Sequence, residues 1–549
     1  MTSWFYWLCV GLDVKRAAGI HRAVRKQVSP GGNLWNLSTS RRAGRENPAF
    51  NLRLEAKKRA SWAVFIEAQT LELRTLPQPA AKMISFQDTV LSGAQMRRRE
   101  FLRVGGLGLG GLTLGDLFAA RAAAKAAKLP VSDKSVIFLF MHGGPSQFET
   151  FDPKMDAPDG IRSATGEVKT TIPGITFGAT FPKLAKLAHK FSVVRSFVTG
   201  DAIHDIKTIV GKATLQANMG SLYARVAGPL RPETTMPTNV ALFPRAVDAG
   251  AGPAITQFGN IISSGDLGAA YAPFVPGTGG GMQADLSMHL PKERVNDRRG
   301  LLASLDDWRR RVDTAGMMEG YSTIQQQAFD TLLGGVSGAF DLSREDARLI
   351  ERYDTASLVP RDRISKKWNN HLHYGDHAAT LGKLLLMARR LCERGAGFVT
   401  VTTSFVWDMH ADNNNATLTE GMGYVGTPFD HAVSTLIEDI EARGLTEKIL
   451  LVCCGEMGRS PTINKKGGRD HWGGLAPLLL YGGGLKMGRV IGQSSRNGGE
   501  PASDPVTIPD LMATIMHTLL DVGEVRLMDG LPKNLVDAVT GGQPIKGLV

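Results

Sequence analysis

The chain has 549 residues, 43% of them hydrophobic and 21% charged, and its 64 Lys and Arg against 52 Asp and Glu give a net charge of +12. The excess is local: residues 1–130 carry 21 Lys and Arg against 8 Asp and Glu, a net +13, so the remaining chain stands at −1 and a basic nucleic-acid surface is excluded. No uninterrupted apolar run approaches the ~20 residues of a permanent membrane span, and the four cysteines have neither disulfide-framework nor zinc-type spacing.

Residues 1–82 mix Arg, Trp and Ser without helical or strand periodicity and read as translated upstream sequence. Next come Arg98-Arg99-Glu100-Phe101-Leu102-Arg103, the glycine-rich apolar run Val104–Leu112 and the small-residue stretch Ala119–Ala127. That order of parts resembles a twin-arginine export signal, with an amphipathic basic helix as the alternative. An export leader works at the start of a chain, so translation is expected to begin at Met83 or Met96, with residues 83–130 as signal and linker. The expected partner is the twin-arginine export machinery and the expected location is the periplasm or cell envelope. Cargo of that route often acquires a metal or cofactor before export.

Residues 131–549 are long enough for one large α/β domain. The apolar runs Ser135–Met141, Phe398–Thr402, Lys448–Cys454 and Ala476–Tyr481 predict buried parallel strands. Amphipathic helices are predicted between them at Ala378–Glu393 and Phe429–Arg443, the second closed by Gly444. This alternation predicts a doubly wound, mostly parallel sheet with helices on both faces and chemistry at the strands' carboxyl ends. A glycine-rich and charged segment at about 250–345 breaks the pattern and reads as an inserted cap. Cys392, Cys453 and Cys454 are expected as buried thiols.

The strand exits carry the reactive groups. The first leads into His142-Gly143-Gly144-Pro145-Ser146, another into Trp407-Asp408-Met409-His410, and the next into Gly455-Glu456-Met457-Gly458-Arg459-Ser460-Pro461, followed by Gly468-Arg469-Asp470-His471-Trp472. Asp408 and His410, two apart on an extended strand end, point the same way as co-ligands should. His142 also fits a turn hydrogen bond, Glu456 with Arg459 an ion pair at a helix start, and Asp470-His471-Trp472 a buried hydrogen-bonding cluster. His204 also fits a helix cap. His371, His373 and His377 read as a solvated helix entry, and Asp412-Asn413-Asn414-Asn415 as a turn rather than a calcium loop.

With the paired arginine, these motifs resemble the sulfatase-like family catalogued as domain of unknown function fifteen-hundred-and-one, over nearly all of residues 97–540. The resemblance implies an alkaline phosphatase/sulfatase-like fold. Sulfatases place a paired aspartate after the first strand, a nucleophile after a helix such as Phe181–Ala188, and an aspartate with an amide or imidazole after a late strand. The matching places here hold His142, His204 with Asp205, and Glu456 with Met457. The Cys/Ser-x-Pro-x-Arg signature of the sulfatase nucleophile is missing, and neither Ser146 nor His204 simply inherits its role.

Imidazole and carboxylate together suit a divalent zinc, manganese or iron ion better than calcium. The expected ligands are His142, Asp408, His410, Glu456 and Asp470, with His204, Arg459 and His471 as catalytic groups and Arg459 gripping an anion. The expected function is an exported, metal-dependent hydrolase of sulfate or phosphate esters acting on a small-molecule or glycan substrate. The alternative is a non-catalytic anion- or glycan-binding protein. The export reading has a direct test: replacing Arg98 and Arg99 together by Lys leaves the protein in the cytoplasm, as read by cell fractionation, whereas continued export removes the signal.

Overall fold

The structure, a computed structural model, describes residues 129–277 and 336–549. The expected export signal, the upstream extension and the middle of the expected cap lie outside these residues.

The described residues form eleven strands: β1 (Ser135–Phe140), β2 (Glu167–Lys169), β3 (Thr176–Gly178), β4 (Ser192–Val194), β5 (Asn239–Leu242), β6 (Phe398–Val401), β7 (Ile449–Cys454), β8 (Gly458–Ile463), β9 (Arg469–Trp472), β10 (Leu478–Gly482) and β11 (Val490–Ile491). Seven make the central sheet in the order β11-β4-β10-β7-β1-β6-β5, while β2–β3 and β8–β9 are separate two-stranded pairs. β1 lies parallel between β6 and β7, in register Val136 to Phe398 and Ser135 to Ile449, and β5 is parallel to β6.

The apolar runs alternate between two cores because successive side chains leave a strand on opposite faces. From β1, Ile137 and Leu139 enter one core, and Val136, Phe138 and Phe140 the other; from β7, Leu451 and Cys453 oppose Leu450, Val452 and Cys454. Helices His371–Glu393 and Leu418–Ala442 cover the first face through Leu384, Leu385, Leu436 and Ile440. Helices Met219–Ala227 and Ile508–Leu519 cover the second through Leu222, Tyr223, Leu511 and Ile515. The fold is therefore α/β, with a mostly parallel sheet between helical layers.

Several expectations need correction. The Ala476–Tyr481 run forms β10 antiparallel to both β7 and β4. After β7 the chain turns back through the β8–β9 hairpin and re-enters the sheet without a crossover helix, which a parallel strand would need. The helix start suggested at Glu456 and Arg459 is not formed, because Gly458–Ile463 is the strand β8. Both long helices begin earlier than their apolar spacing suggested, at His371 and at Leu418, where the Thr417 side chain caps the free Glu420 N–H. His377 is fully buried rather than solvated, its Nδ1 2.8 Å from Thr403 Oγ1, and burial lowers its pKa to about 4. Cys392, Cys453 and Cys454 are free and buried.

The β8–β9 hairpin is fixed to the loop after β1 by Arg469 and Glu149, both fully buried, with Nε 3.0 Å and Nη2 3.1 Å from the carboxylate. The same guanidinium donates to the carbonyls of Ser460, Pro461, Ile161 and Arg162 and lies over the Phe148 ring. Removing one partner of such a pair strands a buried charge. Glu149→Leu is expected to lower unfolding stability by about 3–5 kcal/mol in urea titrations. Asp537→Ala, at an exposed pair with Lys533, is expected to change it by less than about 1 kcal/mol.

Candidate metal centre

The exits of β1, β6 and β7 meet at the carboxyl edge of the sheet. Gly143 and Gly144 follow β1 with φ of 114° and 77°. A side chain on Gly143 would place its Cβ 2.7 Å from the Asp408 nitrogen, so only glycine lets the two exits press together. The Gly143 N–H donates to both oxygens of the buried Glu456, at 3.0 and 3.2 Å.

His204, Asp408, His410 and His471 converge, one donor atom from each lying within 4.8 Å of all the others. Measured to Asp408 Oδ1, the Nε2 atoms of His204, His410 and His471 stand at 3.4, 3.0 and 3.6 Å, and the last two are 2.7 Å apart. Each ring's other nitrogen is anchored to an acceptor: His204 Nδ1 to Glu456 Oε1 at 2.9 Å, His410 Nδ1 to Asp470 Oδ1 at 3.3 Å, and His471 Nδ1 to the Ala202 carbonyl at 3.1 Å. A carboxylate or carbonyl can only accept, so each Nδ1 carries a proton, which makes Nε2 the atom able to turn a lone pair toward a metal ion. Asn415 Nδ2 donates to the second oxygen of Asp408 at 2.9 Å and is itself held by Asn370. A group of His and Asp residues that can hold a metal ion is thus in place.

Arg459 runs beneath this group, almost fully buried. Its five N–H groups meet Asp408 Oδ1 at 2.7 Å, the carbonyls of Gly143, Gly144 and Arg469, and His410 Nε2 at 3.3 Å. Burial alone would raise the Asp408 pKa, but the Arg459 charge and the three imidazoles beside it hold it far below the carboxylate range. Burial opposes charge on His204 too, yet the hydrogen bonds and charges of Asp408 and Glu456 outweigh it and raise its pKa. The carboxylates around His204 therefore favour positive charge at that ring.

His142 stands apart from the four. Its buried ring lies edge-on to Phe405 at 4.9 Å and to Phe258 at 5.6 Å, and its Nε2 has no hydrogen-bond partner. Burial lowers its pKa, partly offset by Glu456 and Asp408. Phe258 and Phe405 stack at 4.5 Å and also flank His204.

The structure thus brings together Asp408 and His410 of the expected ligands, and adds His204 and His471, which the sequence suggested as catalytic groups. Glu456 and Asp470, expected as ligands, sit behind His204 and His410 on their Nδ1 atoms. Arg459, expected to grip a substrate anion, has its five donors engaged by the protein. It pairs with Asp408, not with Glu456. Asn415 escaped notice because the Asp412 turn, whose Oδ1 accepts from the Asn414 and Asn415 N–H groups, accounts for the Asn-rich run by itself. The aromatic pair left no signal, because Phe258 and Phe405 are far apart in sequence.

Residues 133–549 match a family described as Protein of unknown function (DUF1501). No curated protein matches the chain. Similar solved structures include the PsFucS1 sulfatase from Pseudoalteromonas sp., at 14% identity over 78% of this chain and 75% of that one, TM-score 0.28. The phosphonate monoester hydrolase SpPMH from Silicibacter pomeroyi is 10% identical over 75% and 78%, TM-score 0.30. Alkaline phosphatase from the Antarctic bacterium TAB5 is 14% identical over 67% and 96%, TM-score 0.23.

Ligands and the groups behind them separate by magnitude. Asp408→Ala and His410→Ala are expected to abolish stoichiometric zinc uptake in equilibrium dialysis while the circular dichroism of the fold is kept. Glu456→Gln and Asp470→Asn are expected to weaken uptake about 10–100-fold without abolishing it. Full zinc retention in the Asp408→Ala/His410→Ala double variant rejects the pair as ligands.

Proposed function

The chain belongs to the family Protein of unknown function (DUF1501), and we propose that it is an exported, metal-dependent hydrolase of sulfate or phosphate esters. The observation that carries this reading is the set of three imidazoles, each anchored at Nδ1, whose Nε2 atoms surround Asp408 Oδ1. With both Nε2 atoms unprotonated, His410 and His471, 2.7 Å apart there, repel each other, and a cation beside the pair relieves that repulsion. The buried His204 Nε2, without a hydrogen-bond partner, fits the same ion. Three imidazoles and one carboxylate suit zinc, with manganese or iron next and calcium poorly matched.

The ion, when bound, supplies Lewis acidity toward an ester oxygen or an attacking water. Around it, Glu456, Asp470 and the Ala202 carbonyl keep the three rings in the tautomer that presents Nε2. Arg459 steadies Asp408 and balances its charge. His142, whose pKa burial lowers and whose Nε2 has no hydrogen-bond partner, would accept the proton that an attacking water gives up. His410 and His471 are the more exposed rings, with side chains 20% and 30% accessible, so the ester enters from their side. A small-molecule or glycan ester suits that open edge.

One observation favours a non-catalytic anion- or glycan-binding protein instead: the Ser146 hydroxyl donates to Glu149 and the Arg459 donors are taken, so neither group faces an ester. A panel of sulfate, phosphate and phosphonate esters separates the readings. Metal-loaded protein is expected to hydrolyse at least one, to lose activity on chelation and to regain it with zinc or manganese. His142→Gln is expected to lower kcat by about 100-fold or more at unchanged metal content. Tight binding of sulfated or phosphorylated ligands with no turnover across the panel establishes the binder.

A further inference from the structure

His204 and His471 are contributed by distant parts of the chain but lean on one support, the loop 199–207. His204 lies within it, and His471 donates from Nδ1 to its Ala202 carbonyl at 3.1 Å. The loop contains no helix or strand residue. The Thr199 and Gly200 N–H groups reach the Gly473 carbonyl at 3.3 and 3.2 Å, which ties only the start of the loop to the segment after β9.

Its far end is closed by Lys207. The ammonium donates to Asp201 Oδ1 at 2.7 Å, to Asp205 Oδ1 at 2.9 Å and to the Ile203 carbonyl at 3.2 Å, which uses all three of its donors on a stretch centred on His204. The two carboxylates also accept from the backbone, Asp201 from the Ile203 N–H and Asp205 from the Lys207 N–H. Exposure runs opposite to the usual surface ion pair: the lysine side chain is 12% accessible, against 53% for Asp201 and 38% for Asp205. The lysine is the inner member of the cluster, with the acids folded over it. Its carbonyl packs close against Gly211, where a side chain would place Cβ 2.8 Å from the oxygen.

We propose that Lys207 is a positioning residue for the metal centre, closing the 201–207 segment into a ring that sets both His204 Nε2 and, through the Ala202 carbonyl, His471 Nε2 against Asp408. The inference rests on the metal reading above, not on hydrolysis. An isolated surface pair contributes little to stability. Lys207 acts instead on geometry: two of the four converging donor atoms depend on the path of one loop without helix or strand, and Lys207 contacts that loop on both sides of His204.

The test uses the full chain carrying Lys207→Met, Lys207→Arg or Asp205→Asn, stripped by chelation and titrated with cobalt and zinc. Lys207→Met is expected to weaken both ions about 10–100-fold and to shift the visible cobalt band, with the melting temperature of the stripped protein close to wild type. Lys207→Arg, which keeps the charge and the donors, is expected to recover most of the affinity. In the stripped protein, the ring-proton NMR signals of His204 and His471 are expected to move in Lys207→Met, while that of the buried His377 stays. Affinity within twofold of wild type together with unmoved His204 and His471 signals overturns the proposal. Should Lys207→Met fail to fold, Asp205→Asn, at a half-exposed position, carries the same expectation in milder form and the same overturning result. A wild-type protein that binds no ion sinks the metal reading, and the histidine signals then decide the role of Lys207 alone. One that binds ions but turns over no ester sinks only the hydrolase.

Discussion

Everything at the carboxyl edge of the sheet depends on one buried guanidinium. A charge taken out of water costs several kcal/mol unless its partners are close and its donors satisfied. Arg459 meets that condition with Asp408, two carbonyls from the exit of β1, one from β9 and the ring nitrogen of His410. Four segments from different parts of the chain must converge before those five donors are met, so satisfying Arg459 and assembling the centre are a single event. Gln147 completes the lock by pairing with both the N–H and the carbonyl of Arg459.

The second buried guanidinium, Arg469, serves the hairpin that delivers His471. Its pairing with Glu149 and four carbonyls ties β8 and β9 to the loop behind β1, and the residues immediately after it, Asp470 and His471, supply an anchor for His410 and an inward-facing nitrogen. The division of labour is consistent: charged groups without solvent access build the frame, and the imidazoles, partly accessible, face the opening. Positive charge on Arg459 and negative charge on Asp408 and Glu456 leave the cluster able to take a cation without a large unbalanced field.

Such a frame also accounts for how the candidate groups sort themselves. Glu456 is fully buried and bonded to the Gly143 N–H, so its carboxylate faces back toward β1 and reaches His204 from behind. Asp470 alternates with His471 along β9, which sends the two side chains to opposite faces of the hairpin, one to Nδ1 of His410 and the other to the centre. His142 leaves β1 on the face lined by Phe405 and Phe258, where its Nε2 has no hydrogen-bond partner.

Local pattern in the sequence determined the strands β1, β6, β7 and β10, the two long helices, the buried thiols and the placing of the candidate groups at the strand exits. Apolar periodicity and strand-end polarity are properties of short windows, and so they are legible without the fold. The direction of β10 was not, because a run of buried residues looks the same whichever way it enters the sheet. Asp408 and His410 were readable as a pair from their spacing. Most partners of His204, His471 and Arg459 lie far away in the chain, 49 residues for His410 with Arg459 and 252 for His204 with Glu456. Only tertiary structure decided which nitrogen of each ring faces inward, since that depends on the acceptor placed behind it, and acceptors such as the Ala202 carbonyl have no signature in a sequence.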